Sequence, residues 1–285
     1  MPAVKDTAIC IRHWDWSETS QTVSLFTANH GVIRGLAKGS RRERSAFSGG
    51  IELLTRGEVL FLSKSGGPGT GLTPITAWDL QEPYSRLRSS LGGLNAGIFL
   101  ADLVQHGLED HDPHPAVFSA LDTALALLAN GSAPLRVVLM FLWKLLSDTG
   151  YRPDVWSDPR SGTPIPSARV YEFSPKFGGL LAPPPPTAAA PESPVRSKFE
   201  GPESSAHRAH SAGGETWKVR PDTVEVLRRV GSRDETLDWT GIVADTSLPE
   251  EAVVRATGLL ASYFRFIHRA WPPSIRWVLP DLVRS

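Results

Sequence analysis

Roughly the first 80 residues alternate between apolar and polar positions in short runs, a period of two that is typical of β-strands. Turn-forming residues such as Asn29 and Gly31 separate the runs. The runs are residues 7–12, 22–27, 32–38, 57–62 and 72–77. Five strands at this spacing predict a closed barrel, and the oligonucleotide-binding (OB) fold is the five-stranded barrel that we expect.

The apolar spacing changes from about Pro83 onward to intervals of three and four residues, which predicts amphipathic helices. Gly131 and Gly150 are placed to end helices, and Pro113 and Pro134 lie near helix starts. The predicted helices cover residues 94–108, 117–128, 137–146, 221–230 and 249–268. The predicted fold class is therefore α+β, with a barrel followed by an α-helical domain.

A proline-rich stretch interrupts the helical part of the sequence. Residues 183–191 are rich in proline and alanine, and the continuation to residue 214 contains Ser, His and Gly. This composition cannot bury enough apolar surface to fold, so we expect a surface linker; a docking site for a proline-recognising partner is the alternative. The expected units are a barrel at 1–81, a helical domain at 82–155 and 216–285, and an irregular lobe at 156–215.

The charge balance shows that the chain has no global field for a polyanion. Its 285 residues carry 30 Lys and Arg against 30 Asp and Glu, so any nucleic-acid affinity must come from local patches. Cys10, the sole cysteine, lies in an apolar run, which predicts a buried hydrophobic role and excludes an intrachain disulfide. With no apolar signal core and no membrane-length stretch, we expect a soluble, cytoplasmic protein without membrane contact.

One local basic patch follows from the third predicted strand and the loop after it. At period two, Arg34, Leu36 and Lys38 share one face, whereas Ile33, Gly35 and Ala37 share the other. The loop adds Arg41, Arg42 and Arg44. We interpret this basic stripe as a phosphate-binding surface; the alternative is a solvated edge strand whose charges discourage aggregation.

Two predicted loops extend this candidate site. Residues 13–20 carry Trp14 and Trp16, and residues 63–71 carry Lys64. In OB folds, the loops at these two places contact the ligand. Exposed indoles stack on unpaired bases; the alternative is that an indole closes the end of the barrel. Trp14, Trp16 and Lys64 therefore join the basic stripe as candidate nucleic-acid-binding residues.

Two other clusters suggest different chemistry. Residues 109–114 combine carboxylates and imidazoles, which are metal-ligand types, but consecutive residues cannot all turn toward one ion, so an acidic loop is the competing interpretation. A metal-dependent hydrolase would use Glu109, Asp110, His111 and His114. The glycine-rich residues 66–71 lack the Gly-Lys-Ser/Thr ending of a phosphate loop, which favours a hairpin loop. We assign no catalytic residue.

Short blocks spread over most of the chain form a specific, co-linear pattern. They are AICI at 8–11, ETS at 18–20, LFTANHG at 25–31, AKGSRR at 37–42, SAF at 45–47, LLSDTGYRPD at 145–154 and FSPKFGGL at 173–180. In this order, the blocks resemble the RecO family of bacterial recombination mediators and DNA repair proteins. Because several blocks agree in order, the pattern is much more specific than any one of them.

The resemblance implies an OB barrel and a helical domain that together bind single- and double-stranded DNA and anneal complementary strands. It also implies partnership with RecR, with the C-terminal tail of single-stranded DNA-binding protein and, indirectly, with RecA. By position, the family's basic DNA face corresponds to Arg34, Lys38, Arg41, Arg42 and Arg44. Arg136 matches a basic position that lines the pocket for the acidic, aromatic-ended tail.

One departure from the family concerns a structural metal. Many members carry a four-cysteine zinc lobe, with one pair after the Gly-Tyr-x-Pro-Asp segment and the other after the Gly-Gly-Leu segment. The corresponding residues 155–158 and 181–184 contain no cysteine here. Structural zinc needs about four N or S donors, so we predict no metal and no cofactor. We expect an apolar cluster to hold the lobe instead, formed by Trp156, Tyr171, Phe173 and Phe177.

The combined prediction is a non-enzymatic mediator of DNA repair and recombination. The basic stripe would neutralise phosphates on two strands at once, so complementary bases find register without nucleotide hydrolysis. The mediator would also help to load recombinase on DNA coated with single-stranded DNA-binding protein. The alternatives are a barrel that serves as a protein-interaction scaffold without DNA binding and the metal-dependent hydrolase.

Overall fold

The computed structural model describes residues 2–47, 49–62, 71–183, 216–234 and 239–282. Its N-terminal strands close into a barrel in the order β1-β2-β3-β5-β4, in which β3 and β5 are parallel and all other neighbours are antiparallel. The strands are β1 (Ala3–Ser17), β2 (Ser20–Thr27), β3 (Gly31–Ala37), β4 (Arg56–Leu62) and β5 (Thr73–Glu82). The predicted five-stranded N-terminal barrel is confirmed.

Alternate strand positions fill the interior of the barrel. Val23, Leu25 and Ile33 point inward and are almost completely buried. Cys10 is buried among them, and burial raises the pKa of its thiol to about 12. Such a thiol packs as a small core side chain and is not available as a nucleophile.

β1 is longer than the predicted strand of residues 7–12, and this corrects one expectation. The strand pairs with β2 as far as Ser17, which lies opposite Ser20, and two bulges interrupt its register. Trp14 and Trp16 therefore lie in β1 and not in the predicted loop. A bulge inserts an extra residue and breaks the alternation of faces, so a strict period of two ends the strand too early.

The helical domain follows a 3₁₀ turn at Ser85–Ser89. Its helices are α1 (Leu91–Gly107), α2 (Pro115–Ala129), α3 (Pro134–Asp148), α4 (Pro221–Asp234), α5 (Trp239–Val243), α6 (Glu250–His268) and α7 (Ile275–Val278), and a 3₁₀ turn at Pro280–Leu282 follows. Gly131 and Gly150 follow α2 and α3 with positive φ, as predicted for helix stops. Within the described ranges, no helix combines the length and apolar character that a bilayer crossing requires.

α3 is the central helix of this domain. It contacts α1, α2, α4, α5 and α6, and its buried residues lie on nearly every side of the helix. Phe141, Leu142 and Trp143 are fully buried. A helix that is apolar all round can be stable only when neighbours cover it, so α3 organises the positions of the other helices.

A small sheet forms the lobe beside α3. Its strands, β6 (Tyr171–Ser174), β7 (Gly179–Leu181) and β8 (Trp217–Val219), lie in the order β7-β6-β8. Of the four aromatic residues expected to hold this lobe, Tyr171 and Phe173 are buried, and Phe173 stacks on Trp217 with ring centroids 5.7 Å apart. Trp156 packs edge-on against Trp143, and Phe177 lies at the surface. The expected cluster is therefore only partly formed.

One side of the barrel's outer surface packs into the core of the helical domain, which is separate from the core inside the barrel. Ile9, Phe26 and Val32 face outward from the barrel and are buried in the helical core, where Phe26 meets Phe118 edge-on at 5.7 Å. The loop after α1 also joins β3, because His111 donates its backbone N–H to the Val32 carbonyl at 3.0 Å.

Gly31 fits this junction for two reasons. Its φ is +67°, and a Cβ there would collide with the backbone of Asp112. The helical domain thus covers the outer side of β3 at Val32, whereas the outer side of the strand from Arg34 onward is accessible to solvent.

Candidate nucleic-acid interface

Strand register places aromatic and basic side chains together on the outside of the barrel. Thr22 of β2 lies between Trp14 of β1 and Leu36 of β3, and Ser24 lies between Arg12 and Arg34. Residues directly opposite one another in neighbouring strands share a face. Since the intervening residue Val23 points into the barrel, both rows point outward.

We call this surface the barrel face: the two rows together with Trp16 of β1, Lys38 and the basic loop of residues 39–45. Trp14 is 51% exposed and Trp16 is 64% exposed. Leu36 continues the apolar row to Pro74, its partner on β5, where Lys38 and Leu72 help to line a recess of about 380 Å³. The barrel face therefore offers apolar and aromatic surface with cations on both sides of it.

Two cations of the barrel face pair with exposed carboxylates. Arg34 Nε lies 3.0 Å from Asp110 Oδ2, and Arg41 Nη2 lies 2.6 Å from Asp15 Oδ1. Ion pairs between exposed side chains stabilise a fold by about 0–1 kcal/mol. A bound phosphate can therefore displace either carboxylate at low cost.

The other three cations of the predicted stripe, Lys38, Arg42 and Arg44, are exposed. Within the part of the chain that the structure describes, no carboxylate lies within 4.0 Å of their charged nitrogens. All five cations of the predicted stripe are thus exposed, and two of them pair with carboxylates. Their joint role in binding stays a prediction.

A buried hydrogen-bond network holds the basic loop against the barrel. Gln21 donates from Nε2 to the Ile51 carbonyl at 3.1 Å and accepts from Ser40 Oγ at 2.9 Å, and Ser20 Oγ accepts from the Gly39 N–H at 3.1 Å. Sequence analysis missed Gln21. The sequence does contain a clue to its role: Gln21 lies two residues before Val23 and four before Leu25, and so on the side of β2 that points into the barrel. A buried amide at such a position requires hydrogen-bond partners.

Arg12 is a second residue that sequence analysis missed. Its guanidinium lies 5.5 Å from the centre of the Trp14 ring and 3.8 Å from Asp102 Oδ1. Arg12, Trp14 and Trp16 follow one another at every second position, which predicts a shared strand face once the strand is extended past residue 12. Arg12 adds a cation to the barrel face beside its exposed indoles.

Asp6 positions the turn that begins β3. Its carboxylate accepts hydrogen bonds from the Asn29 backbone N–H at 3.0 Å and from the Asn29 side chain at 2.9 Å, and it lies 2.6 Å from His30 Nδ1. Burial raises the pKa of Asp6, but the hydrogen bonds from His30 and Asn29 outweigh burial and hold the pKa below its usual range. The register of β3, and with it the barrel face, depends on this turn.

Arg136 lies apart from the barrel face, at the start of α3. Its side chain is 9% exposed, and Nη1 donates to the Asp245 carbonyl at 2.5 Å. Nη2 donates to the Leu248 carbonyl at 3.1 Å and to Glu250 Oε2 at 3.2 Å. These bonds tie the segment between α5 and α6 to α3. A role for Arg136 in binding a partner stays a prediction, and Lys64 lies outside the described residues.

Within the acidic loop of residues 109–114, His114 Nε2 lies 3.2 Å from Asp112 Oδ2, but other side chains turn to partners outside the loop. Asp110 turns to Arg34, whereas His114 Nδ1 lies 2.6 Å from Asp148 Oδ2. Among the described residues, no three His, Cys, Asp or Glu side chains are grouped so that they could hold a metal ion. Asp110 of this loop instead pairs with Arg34 on the barrel face, and the loop thereby connects the helical domain to the barrel.

The lobe positions implied for zinc also fail to supply a ligand set. Residues 155–158 and 181–183 offer one carboxylate, Asp158, which is already bound by Arg160 Nη2 at 2.7 Å and by the Ala182 N–H at 2.9 Å. The Arg160 hydrogen bonds hold the pKa of Asp158 well below its usual range. These residues do not fit structural zinc. That the lobe carries no metal stays a prediction, which elemental analysis of the purified protein tests.

Family models and individual relatives of this chain agree on one family. The chain matches the family model "Recombination protein O N terminal" over residues 1–84 and "Recombination protein O C terminal" over residues 88–234. Its relatives include the DNA repair protein RecO of Dehalococcoides mccartyi strain CBDB1, 30% identical over 179 residues, which are 63% of this chain and 68% of the relative. RecO of Cutibacterium acnes is 29% identical over 188 residues, 64% of this chain and 73% of the relative.

Proposed function

This chain belongs to the RecO family of DNA repair proteins, and from that premise we propose that it is a mediator that binds single- and double-stranded DNA through the barrel face. The proposal extends to annealing of complementary strands and to loading of recombinase on DNA coated with single-stranded DNA-binding protein. The observation that supports it best is the strand register that places exposed Trp14 and half-buried Leu36 and Pro74 in one outward-facing row, with Arg34 and Lys38 beside it.

Each part of the barrel face has a distinct task in this proposal. The cations bind phosphates and release condensed counterions, which makes the affinity depend on salt but not on base sequence. Trp14 and Trp16 stack on unpaired bases, and Leu36 and Pro74 provide apolar contact beside them. The ion pairs of Arg34 and Arg41 open when phosphate arrives, because exposed pairs are weak.

Annealing needs no bond cleavage in this mechanism. Cations that neutralise two strands together lower the repulsion between them, and complementary bases then pair by their own affinity. The proposed protein is therefore not an enzyme. Its proposed partners are DNA, RecR, the C-terminal tail of single-stranded DNA-binding protein and, indirectly, RecA. Arg136 would contribute to tail binding by supporting the segment between α5 and α6.

The variant Arg34→Ala/Lys38→Ala tests the barrel face. A short fluorescent single strand is titrated at several salt concentrations, and log affinity is plotted against log salt. Each lost phosphate contact lowers the magnitude of the slope by about 0.7, so the double variant is expected to lower it by roughly 1.4 and to bind more weakly.

The matched control is Lys5→Ala/Arg86→Ala, which removes the same charge from exposed positions outside the barrel face. We expect this control to change the slope only slightly. An unchanged slope in Arg34→Ala/Lys38→Ala would overturn the assignment of DNA binding to the barrel face.

A further inference from the structure

A second surface with aromatic and basic character lies in the helical domain. A groove of about 540 Å³ opens where the end of α3, the turn between β6 and β7 and the end of α6 meet. None of its lining residues belongs to the barrel. The side chains that matter are Tyr151, Arg152, Lys176, Phe177, Phe266 and Arg269.

Three backbone turns shape the groove. Gly150 after α3 has φ +82°, Gly178 between β6 and β7 has φ +73°, and Arg269 at the end of α6 has φ +56°. A Cβ on Gly178 would lie 2.7 Å from the Tyr263 hydroxyl, so the turn packs directly onto α6. The walls are therefore held by turns that favour particular residues, and the groove is part of the fold rather than a gap between loose loops.

The groove is electropositive. Arg152, Lys176 and Arg269 are exposed, and no Asp or Glu is among its lining residues. Within the described ranges, no carboxylate lies within 4.0 Å of the charged nitrogens of Lys176 or Arg269. The occupant that this charge favours is an anion.

The groove also exposes three aromatic rings. Tyr151 is 44% exposed, Phe177 is 46% exposed and Phe266 is 40% exposed. Lys176 Nζ lies 5.6 Å from the centre of the Phe177 ring, and the Arg152 guanidinium lies 5.5 Å from the centre of the Trp156 ring. Cations and aromatic rings are therefore neighbours here, as they are on the barrel face.

Fold stability accounts for only part of this arrangement. Arg269 ends α6, and its positive charge is stabilised there by the negative end of the helix dipole. Arg152 packs on the rings of buried Trp143 and half-exposed Trp156. Lys176 and Phe177 lie in a surface turn outside any helix, so no helix dipole explains their presence. Phe177 stays exposed although the Arg160 guanidinium lies 5.7 Å from the centre of its ring. These two residues are the best evidence for a ligand.

We propose that this groove is a second binding site for unpaired nucleic acid, a proposal that rests on the proposed function in DNA annealing. Aromatic faces can stack only on bases that are not already stacked in a duplex, and neighbouring cations neutralise the backbone of the same strand. Two separate sites would let one molecule hold two strands during annealing. The groove is expected to prefer single strands to duplexes.

The test combines the groove variant Lys176→Glu/Phe177→Ala with the barrel variant Arg34→Ala/Lys38→Ala. Binding of a fluorescent oligothymidylate is measured by anisotropy at low salt in the wild-type and barrel-variant backgrounds. The groove variant is expected to weaken the remaining binding of the barrel variant at least fivefold, whereas the charge reversal Arg169→Glu, in the same lobe outside the groove, is expected to change it less than twofold.

Photocrosslinking of the wild-type protein gives a readout that does not depend on any variant folding. A 5-iododeoxyuridine oligonucleotide is expected to crosslink to peptides that contain Tyr151, Phe177 or Phe266. The proposal is overturned if no crosslink maps to the groove and Lys176→Glu/Phe177→Ala matches Arg169→Glu. It is also overturned if these substitutions abolish binding of an acidic, aromatic-ended peptide but leave oligonucleotide binding intact.

Failure of the groove proposal is distinguishable from failure of the proposed function. If the barrel face does not bind DNA, the barrel variant leaves the salt slope of the wild-type chain unchanged. If the groove does not bind DNA, the groove substitutions have no effect in either background.

Discussion

Arg34 on the barrel face and Arg136 at the start of α3 show how differently the fold uses the same side chain. Arg34 is 57% exposed and has one carboxylate partner, whereas Arg136 is nearly buried and donates to two carbonyls and one carboxylate. A buried guanidinium must be fully hydrogen-bonded because it has lost water. An exposed one keeps water as an alternative partner and can exchange its carboxylate for a phosphate.

This comparison separates structural cations from cations that can bind a ligand. The two kinds of cation differ in how easily a ligand can displace their present hydrogen-bond partners. The net charge of the chain does not reveal this difference. The chain as a whole is neutral, yet its barrel face and its groove each expose several cations.

Removal of a structural cation should affect stability but not DNA binding. Arg136→Ala leaves the Asp245 and Leu248 carbonyls without their donor, and we expect a loss of about 2–4 kcal/mol in the free energy of unfolding. Denaturant unfolding measures this loss, with Arg34→Ala expected to change stability by less than about 0.5 kcal/mol. Equal losses of stability in Arg136→Ala and Arg34→Ala would contradict the distinction between a structural and a ligand-binding arginine.

Asp158 is an intermediate case, because its buried carboxylate binds a partly exposed arginine. Asp158→Asn should destabilise the fold by about 1–3 kcal/mol, since the carboxylate serves both Arg160 and the Ala182 N–H. The pKa of Asp158 is lowered in the folded state, so its contribution is present above its unfolded pKa of about 3.9 and is lost as pH falls further.

The measurement for Asp158 is the stability difference between wild type and Asp158→Asn across pH. The difference should be constant from about pH 5 to 8 and should shrink below about pH 4. A difference that grows toward acid pH would show that the carboxylate is not stabilising when charged.

On the barrel face, loss of an indole should affect single strands more than duplexes. Trp14→Ala is expected to weaken binding of a short single strand by roughly 1–3 kcal/mol if one base stacks there. Duplex binding should change little, because paired bases are already stacked. Trp277→Ala, an exposed indole in α7, is the matched control. Equal losses for single strand and duplex would argue against stacking on Trp14.

The smallest effect should come from the carboxylates that face Arg34 and Arg41. Asp110→Asn/Asp15→Asn removes both partners and is expected to raise DNA affinity a few-fold at low salt, since each exposed pair is worth about 0–1 kcal/mol. Asp79→Asn, an exposed carboxylate outside the barrel face, gives the background effect of removing negative charge. Unchanged affinity would mean that these ion pairs do not compete with DNA.

The elements with a regular apolar period could be predicted from sequence. β2, β3, α2, α3 and α6 lie close to their predicted ranges because each buries apolar residues along its whole length. β6, β7 and β8 have no comparable signal, since each has only three or four residues and β8 joins the other two from a distant part of the chain. Short strands gain their stability from partners that a local pattern does not reveal.

The candidate site was predictable only in part, for a related reason. Arg34 and Lys38 follow from alternation along one strand, whereas the pairing of Arg34 with Asp110 joins residues far apart in sequence. The burial of Arg136 follows from the position of the segment before α6. Long-range packing therefore decided the partners of these cations, although their identity and spacing were visible locally.

The division of the barrel exterior between a covered and a free half also affects attempts to work with the barrel by itself. A truncated protein ending near residue 84 would leave Ile9, Phe26 and Val32 without the helices that bury them. Such an uncovered apolar patch promotes self-association. A truncated barrel is therefore expected to form oligomers in size-exclusion chromatography unless these three positions receive polar replacements.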